Sequence, residues 1–194
     1  MSVADRVRIR EVKVLSDNWY VLRKATFDFR RADGTWQTQN REAYDRGNGA
    51  ALLPYDRERR TVLLVRQFRY PAFSNGYDDL LIEAAAGLLD AAEPEARILA
   101  EVEEELGYRL GEITKVFECF MSPGSVTEKL HLFVAPYSPR MRIGDGGGNV
   151  DEGEDIERLE FAFDEAMAMV ARGEICDAKT IILLQHAAAH IFVD

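Results

Sequence analysis

A short apolar run followed by an amphipathic helix constrains the fold of this chain most strongly. Residues 80–86 are almost entirely apolar and end at Gly87, which is typical of a buried strand followed by a tight turn. Residues 94–106 repeat apolar side chains at helical spacing, with Pro94 suited to the first turn and Gly107 to the position after the last. We therefore predict a buried strand leading directly into a helix, an arrangement typical of α/β proteins.

The rest of the chain alternates strand and helix signals. The first 45 residues predict strands, among them 19–30 and 35–44 around the turn signal Ala32-Asp33-Gly34, and we expect a small N-terminal β-subdomain over residues 1–45. Residues 46–194 predict an α/β domain with a mixed sheet covered by helices. Its further predicted strands are 50–54, 61–70, 113–120, 129–137 and 159–163, and its further predicted helices are 164–170, with Asp164 as the N-cap, and 178–191.

Charge and composition exclude several classes of partner. The 194 residues include 34 acidic and 24 basic side chains, for a net charge of −10. That balance argues against binding to nucleic acid or to anionic membranes, both of which need a basic surface. No apolar run approaches the roughly 18 residues of a membrane span, and charged residues near the start argue against a secretory signal. With only two cysteines, we expect a reduced, cytoplasmic protein.

Three glutamates lie on one side of the predicted helix 94–106. Glu101 and Glu105 are four residues apart and therefore neighbours, with Glu104 beside them. A solvated acidic face would explain them, and we expect Glu105 to be exposed. A second acidic segment, residues 151–155, follows downstream in a glycine-rich loop. Because Mg²⁺ is commonly held by carboxylates together with substrate phosphates, the two segments predict a metal-assisted phosphate site.

The glycines of that downstream loop allow two interpretations. Gly146, Gly147 and Gly148 are consecutive, which is typical of a flexible linker. The alternative is that their flexibility lets the acidic segment close over a site.

The segment from Gly87 to Tyr108 resembles the Nudix box, Gly-x5-Glu-x7-Arg-Glu-apolar-x-Glu-Glu-x-Gly-apolar, and the chain is identified as a member of the Nudix hydrolase superfamily. It departs from the pattern in two ways: the spacing from Glu93 to Glu101 is one residue shorter, and Ala100 stands at the arginine position. Arg97, four residues before Glu101, is a candidate substitute cation. The matching residues are Gly87, Glu93, Glu101, Val102, Glu104, Glu105, Gly107 and Tyr108.

Segments outside the box resemble the GDP-mannose pyrophosphatase branch, which is similar to the ADP-ribose pyrophosphatases. The resemblance covers nearly the whole chain and implies a Nudix-like α/β/α sandwich with a mixed sheet. It implies Mg²⁺-dependent hydrolysis of GDP-mannose to GMP and mannose 1-phosphate, with Mn²⁺ as the alternative ion. ADP-ribose hydrolysis is an alternative, and Ala100 leaves open a nucleotide-binding sensor without turnover. The matching segments are 15–18, 41–42, 44–49, 66–69, 121–124 and 177–180.

The resemblance also implies roles for individual residues. In such enzymes a backbone carbonyl and several carboxylates bind metal, and a nearby carboxylate acts as general base. The implied metal ligands are Ala86, Glu101, Glu105 and Glu154, and the implied catalytic carboxylates are Glu152, Glu154 and Glu104. The implied substrate-binding residues are Trp19, Arg41, Glu42, Arg69, Glu128 and Lys179.

We expect a homodimer. A subdomain of two or three strands has little core of its own and needs a partner surface. Trp19, Phe27 and Phe29 supply apolar area for one. In the family that the chain resembles, this subdomain often reaches the nucleotide sugar across a domain-swapped dimer.

Overall fold

The computed structural model describes residues 2–89 and 92–193. The chain divides into two compact units. One contains the residues up to Asn48 together with Phe120–Lys129, and the other contains Gly49–Cys119 together with the residues from Leu130 onward.

The first unit is built on a three-stranded antiparallel sheet in the order β1-β2-β3. The strands are β1 (Val7–Asp17), β2 (Val21–Arg30) and β3 (Trp36–Asp45). The turn predicted at Ala32-Asp33-Gly34 joins β2 to β3. The bounds of β1 were not visible in the sequence because bulges after Ile9 and after Val14 interrupt its alternation.

One face of this small sheet is apolar along β1 and much of β2, while β3 continues it with polar side chains such as Gln37, Gln39 and Arg41. Val7, Ile9, Val12 and Val14 of β1 lie opposite β2 residues that include Phe29, Phe27 and Ala25, so their side chains share one face. The side chains of Ile9, Val12 and Val14 are exposed. Because β1 is an edge strand of the three-stranded sheet, the apolar face continues to an open edge.

The second unit is built on a seven-stranded mixed sheet, which confirms the predicted α/β class. Five strands follow the order β10-β5-β4-β9-β8, while the short strands β6 and β7 pair with β5 and β4. Strands β4 and β9 are parallel, and β4 pairs antiparallel with both β5 and β7. The bounds are β4 Gly49–Asp56, β5 Thr61–Gln67, β6 Leu81–Glu83, β7 Ala85–Leu88, β8 Thr114–Phe120, β9 Lys129–Pro136 and β10 Glu157–Ala162.

The three predicted helices are present with bounds close to the predicted ones, and a fourth, short helix was not predicted. Helix α2 (Pro94–Glu101) continues as a π-helical turn (Val102–Leu106), so the predicted helix is confirmed and its last turn is wider than an α-helix. Gly107 ends it with a φ of 71°. The other helices are α1 (Tyr70–Ser74), α3 (Phe163–Arg172) and α4 (Ala178–His190).

Several predicted boundaries were wrong. The buried strand predicted over residues 80–86 is two short strands, β6 and β7, which pair with different neighbours, and Gly87 lies inside β7 and not in a turn after it. The strand predicted to reach residue 70 stops at Gln67, because Tyr70 and Pro71 begin helix α1 and proline suits a first helical turn. Asp164 does not cap α3, since the helix already begins at Phe163 and its N-cap is Ala162.

Helices cover both faces of the larger sheet. Ile98, Val102 and Leu106 of α2 and its π-helical turn pack into one core with alternate sheet residues such as Leu52 and Leu63. The alternate residues of β4 and β5, such as Leu53 and Leu64, are also fully buried. Helix α4 contacts β4, and helix α3 contacts β5. Alternation places those residues on the opposite face, which gives the expected sandwich. No helix among the described residues is both long and apolar enough to cross a membrane.

Candidate active site

Strand β7 lies directly against two glutamates of the α2 segment. The backbone N–H of Ala86 donates a hydrogen bond to Oε2 of Glu105 at 3.2 Å. At Gly87, an added Cβ would lie 2.0 Å from Oε1 of Glu101. A side chain at position 87 would therefore displace the Glu101 carboxylate from its present position.

Glu105 is buried, with 1% of its surface exposed, so the expectation of an exposed side chain was wrong. The π-helical turn changes the angular position of the residues after Val102, which a wheel drawn with α-helical spacing does not anticipate. Burial, followed by the charges of Glu101 and Glu83, raises the pKa of Glu105 well above its ordinary value. The hydrogen bond from the Ala86 N–H lowers the pKa but does not offset this. The ionised side chain is therefore electrostatically unfavourable without a cation beside it.

Glu101 pairs with Arg97 across one helical turn. A terminal nitrogen of Arg97 lies 2.5 Å from Oε1 of Glu101, and the Nε–H of Arg97 donates to the Leu88 carbonyl at 3.0 Å. The Glu101 side chain is almost fully buried. The guanidinium of Arg97 therefore lies against the Glu101 carboxylate, and its role as a substitute for the arginine missing at Ala100 stays a prediction.

Glu154 contributes a further carboxylate to this region. Its negative charge is among the causes that raise the pKa of Glu105, although a smaller one. Its Oε2 accepts the backbone N–H of Asn149 at 2.9 Å. Glu104 is exposed on the same helical segment. Glu152 ends a 3₁₀ turn, and its side chain lies outside the described part of the structure.

Three consecutive glycines pack the acidic loop against the end of the α2 segment. The backbone N–H groups of Gly147 and Gly148 donate to the carbonyls of Glu105 and Glu104 at 3.0 and 3.2 Å. An added Cβ at Gly146 would lie 2.3 Å from the Glu105 carbonyl oxygen. The glycines therefore permit a close backbone approach, which differs from the flexible linker expected from the sequence.

Arg69 and Lys179 share one buried partner, Glu83, which the sequence analysis did not identify. Nε of Arg69 lies 2.7 Å from Oε1 of Glu83, and Nζ of Lys179 binds Oε2. Burial alone would raise the pKa of Glu83, but the charges of Lys179 and Arg69 outweigh it and hold the pKa below its ordinary value. The available signal was a charged residue inside the otherwise apolar strand run 80–86.

The remaining candidate residues lie in the first unit. Trp19 is 82% exposed, and Glu128 lies 3.5 Å from Nε of Arg46. Arg41 and Glu42 border an open cavity of about 600 Å³. The cavity is lined by Arg41, Glu42, Ala43, Phe120 and residues 123–127.

The carboxylates of the second unit fit a hard divalent cation in chemistry and in electrostatics. Glu105 has a raised pKa because it is buried beside other carboxylates, and a cation would relieve that crowding. The described residues do not assemble three or more potential ligands around one point. Glu101 instead faces Arg97, and Glu154 faces the Asn149 N–H. These side chains would reorient to bind a metal.

The chain matches proteins of one family over nearly its whole length. The family model described as "GDP-mannose pyrophosphatase NudK N-terminal domain" matches residues 6–44. The GDP-mannose pyrophosphatase of Klebsiella pneumoniae is 53% identical over 181 residues, which cover 93% of this chain and 90% of that protein. The Escherichia coli K12 GDP-mannose pyrophosphatase is 46% identical over 193 residues, which cover 99% and 100%.

The fold agrees with these relatives' superfamily. A crystal structure of an ADP compounds hydrolase superposes with a TM-score of 0.70 at 17% identity and covers 97% of both chains. At that identity the likeness shows the fold alone, and the sequence relatives show the family. The chain therefore belongs to the GDP-mannose pyrophosphatase family of Nudix hydrolases.

Proposed function

We propose that this protein hydrolyses GDP-mannose to GMP and mannose 1-phosphate with Mg²⁺ as its metal, or Mn²⁺ in its place. The observation that carries the proposal is the buried carboxylate of Glu105, which lies beside strand β7 and is crowded by the charges of Glu101, Glu83 and Glu154. Nudix hydrolases generally use a divalent metal, and carboxylate oxygens are the donors that such an ion prefers. Relatives at 46–53% identity that are GDP-mannose pyrophosphatases support the choice of substrate.

Each charged group has a role in this proposal. The Ala86 carbonyl and the carboxylates of Glu101, Glu105 and Glu154 would hold the metal, which supplies positive charge against the phosphates of the substrate. Arg69 and Lys179 bind phosphate oxygens. A carboxylate accepts the proton of the attacking water as the new P–O bond forms and the bridging P–O bond breaks. Glu152, Glu154 and Glu104 are the candidates for that base.

Both parts of the chain have a role in binding the substrate. The β-subdomain, residues 1–45, contributes Trp19, Arg41 and Glu42 to nucleotide-sugar binding, and the hydrolase domain, residues 46–194, contributes the charged groups above. Glu128, in the segment 120–129 that packs with the first unit, also binds the substrate. Arg41 and Glu42 line an open cavity together with the aromatic ring of Phe120, which suits a sugar nucleotide. The chain has only two cysteines, which supports a reducing compartment such as the cytoplasm.

A substrate panel tests this function. Purified protein with Mg²⁺ is incubated with GDP-mannose, ADP-ribose and other nucleotide sugars, and the products are separated by chromatography. We expect GMP and mannose 1-phosphate with the highest kcat/KM for GDP-mannose. A higher kcat/KM for ADP-ribose would favour the alternative activity. Tight nucleotide-sugar binding without turnover would favour a sensor.

We predict a homodimer that forms through the apolar face of the small sheet. Light scattering at micromolar concentration should give about twice the 22.0 kDa mass of the chain. Val12→Glu places a charge on the apolar face and should shift the protein to monomers, because an unpaired charge is costly to bury. Lys13→Glu is the matched control, since its side chain lies on the opposite face of β1. A wild-type particle of 22 kDa would contradict the prediction.

The acidic loop should respond differently to changes at its two glutamates. Glu154→Gln should lower the rate and raise the Mg²⁺ concentration needed for half-maximal activity, because an oxygen ligand is weakened. If Glu152 is the base, Glu152→Gln should lower the rate by about 10²–10⁴-fold without moving that midpoint.

Rate measured against Mg²⁺ concentration separates these outcomes. Asp151→Asn removes an exposed charge from the same loop and serves as the control, with a rate near that of the wild type. If both glutamate variants stay within a few-fold of wild type, the loop has no catalytic role and the base lies among Glu101, Glu104 and Glu128.

A further inference from the structure

Glu83 joins the two candidate phosphate-binding cations in the second unit. Its side chain is 2% exposed, and each of its oxygens accepts from a different cation. Arg69 reaches it from the segment after β5, and Lys179 from the first turn of α4. Strand β6 therefore places one carboxylate where two distant parts of the chain meet.

The hydrogen bonds to Glu83 leave donors of both cations available. Arg69 uses Nε for Glu83, so its two terminal amino groups remain for a second anion, and the side chain is partly exposed. Lys179 contacts Glu83 and, at 3.1 Å, Asp177, which accounts for two of its three hydrogens. Both cations are thus anchored on one side, and each keeps donors that can bind another oxygen.

The two cations would repel each other without the carboxylate between them. The positive charge of Arg69 acts against protonation of Lys179, whereas the charges of Glu83 and Asp177 favour it. Lys179 is only 11% exposed, so water offers it little alternative solvation. A neutral residue at position 83 would leave the adjacent positive charges of Arg69 and Lys179 partly desolvated. The two side chains would then move apart, or Lys179 would lose its proton.

We propose that Glu83 is a positioning residue for the hydrolysis, which holds Arg69 and Lys179 side by side so that their remaining donors meet the phosphates of the substrate. Glu83 itself does not contact the substrate, because its side chain is buried and both oxygens are already bonded. This role rests on the proposed function, and it adds a residue outside the Nudix box. Preorganised cations need no rearrangement when negative charge develops on the phosphates.

The test is Glu83→Gln, which keeps the shape of the side chain and removes its charge. At saturating Mg²⁺, kcat/KM for GDP-mannose should fall about 10²-fold, comparable to the loss of one preorganised donor. The alkaline limb of the pH profile should also move to lower pH. Burial lowers the pKa of Lys179, and the charges of Glu83 and Asp177 overcome that effect to raise it. Removing Glu83 therefore makes Lys179 easier to deprotonate.

Asp56→Asn is the matched control. Asp56 is another buried carboxylate of the same unit, but it accepts backbone N–H groups in the turn between β4 and β5. It should lower thermal stability and leave kcat/KM and the pH profile unchanged. A purely structural role for Glu83 predicts that Glu83→Gln behaves like Asp56→Asn.

A double-mutant cycle with Lys179→Met shows whether Glu83 acts through the lysine. In the Lys179→Met background, Glu83→Gln should cost less than about 10-fold, because one of its two targets is gone. If Glu83→Gln alone does not fold, the test is the comparison of Lys179→Met with the double variant, because the double variant removes both charges of one ion pair. Two results overturn the proposal. One is a fall of about 10²-fold in kcat/KM when Glu83→Gln is added to Lys179→Met, and the other is a kcat/KM for Glu83→Gln alone that lies within three-fold of that for Asp56→Asn. Wild-type protein without turnover of GDP-mannose would instead overturn the proposed function.

Discussion

Glu105→Gln will reduce hydrolysis of GDP-mannose by more than about 10²-fold while leaving the metal-free protein at least as stable as the wild type. Substitution of a residue that only supports a metal ligand typically lowers metal affinity or activity by about 10–100-fold. Loss of the charge of a ligand itself should lower activity further. Stability should not fall, because Glu105 is buried beside Glu101 and Glu83, whose charges oppose its ionisation. A neutral amide removes that repulsion and can still accept the Ala86 N–H.

Thermal unfolding with and without Mg²⁺ separates the two effects in this variant. Mg²⁺ should raise the melting temperature of the wild type, because a ligand that binds only the native state stabilises it. It should leave that of Glu105→Gln unchanged. Glu103→Gln is the control from the same π-helical turn, since Glu103 pairs with Arg109 at the surface. A Glu105→Gln protein with wild-type turnover at saturating Mg²⁺ would remove Glu105 from the metal site.

Gly146→Ala should destabilise the protein by about 2–5 kcal/mol and slow turnover. The substitution forces a side chain into a backbone contact of 2.3 Å with the Glu105 carbonyl, and Gly146 has a φ of 71°. Overpacking costs roughly 1–3 kcal/mol, and a left-handed conformation adds roughly 1–2 kcal/mol. Turnover should fall because the contact displaces the residue that carries the buried carboxylate.

Gly144→Ala is the control for this change. It lies two residues away in the same loop, where an added Cβ has no atom within 4 Å and φ is not positive. Chemical denaturation and steady-state rates should show near-wild-type behaviour for Gly144→Ala and large losses for Gly146→Ala. Equal stability of the two variants would mean that the loop does not pack against Glu105 in solution.

The elements with local signals could be predicted from the sequence. Pro94 and Gly107 bound the predicted helix, and both lie at its ends in the structure. The turn at 32–34 and the mixed α/β pattern were also visible in residue types alone. The bounds of β1 were not, since its two bulges interrupt the alternation on which strand prediction depends.

The candidate site shows the same limit. Glu101 and Glu105 were found by spacing and resemblance, but the burial of Glu105 depends on a π-helical turn that residue spacing does not reveal. Glu83 was missed because its partners Arg69 and Lys179 lie 14 and 96 residues away. Such a contact exists only after the sheet and α4 have assembled. Gly146 likewise looked like a linker until the backbone packed against it was known.

Direct metal binding is the measurement that tests the central claim, that the buried carboxylates around Glu105 hold the divalent ion. Electron paramagnetic resonance of free Mn²⁺ can follow titration of the metal-free wild type, Glu105→Gln and Glu103→Gln. We predict that the wild type and Glu103→Gln bind Mn²⁺ equally, and that Glu105→Gln binds it at least about 10-fold more weakly. Equal Mn²⁺ affinity for all three proteins would contradict the claim.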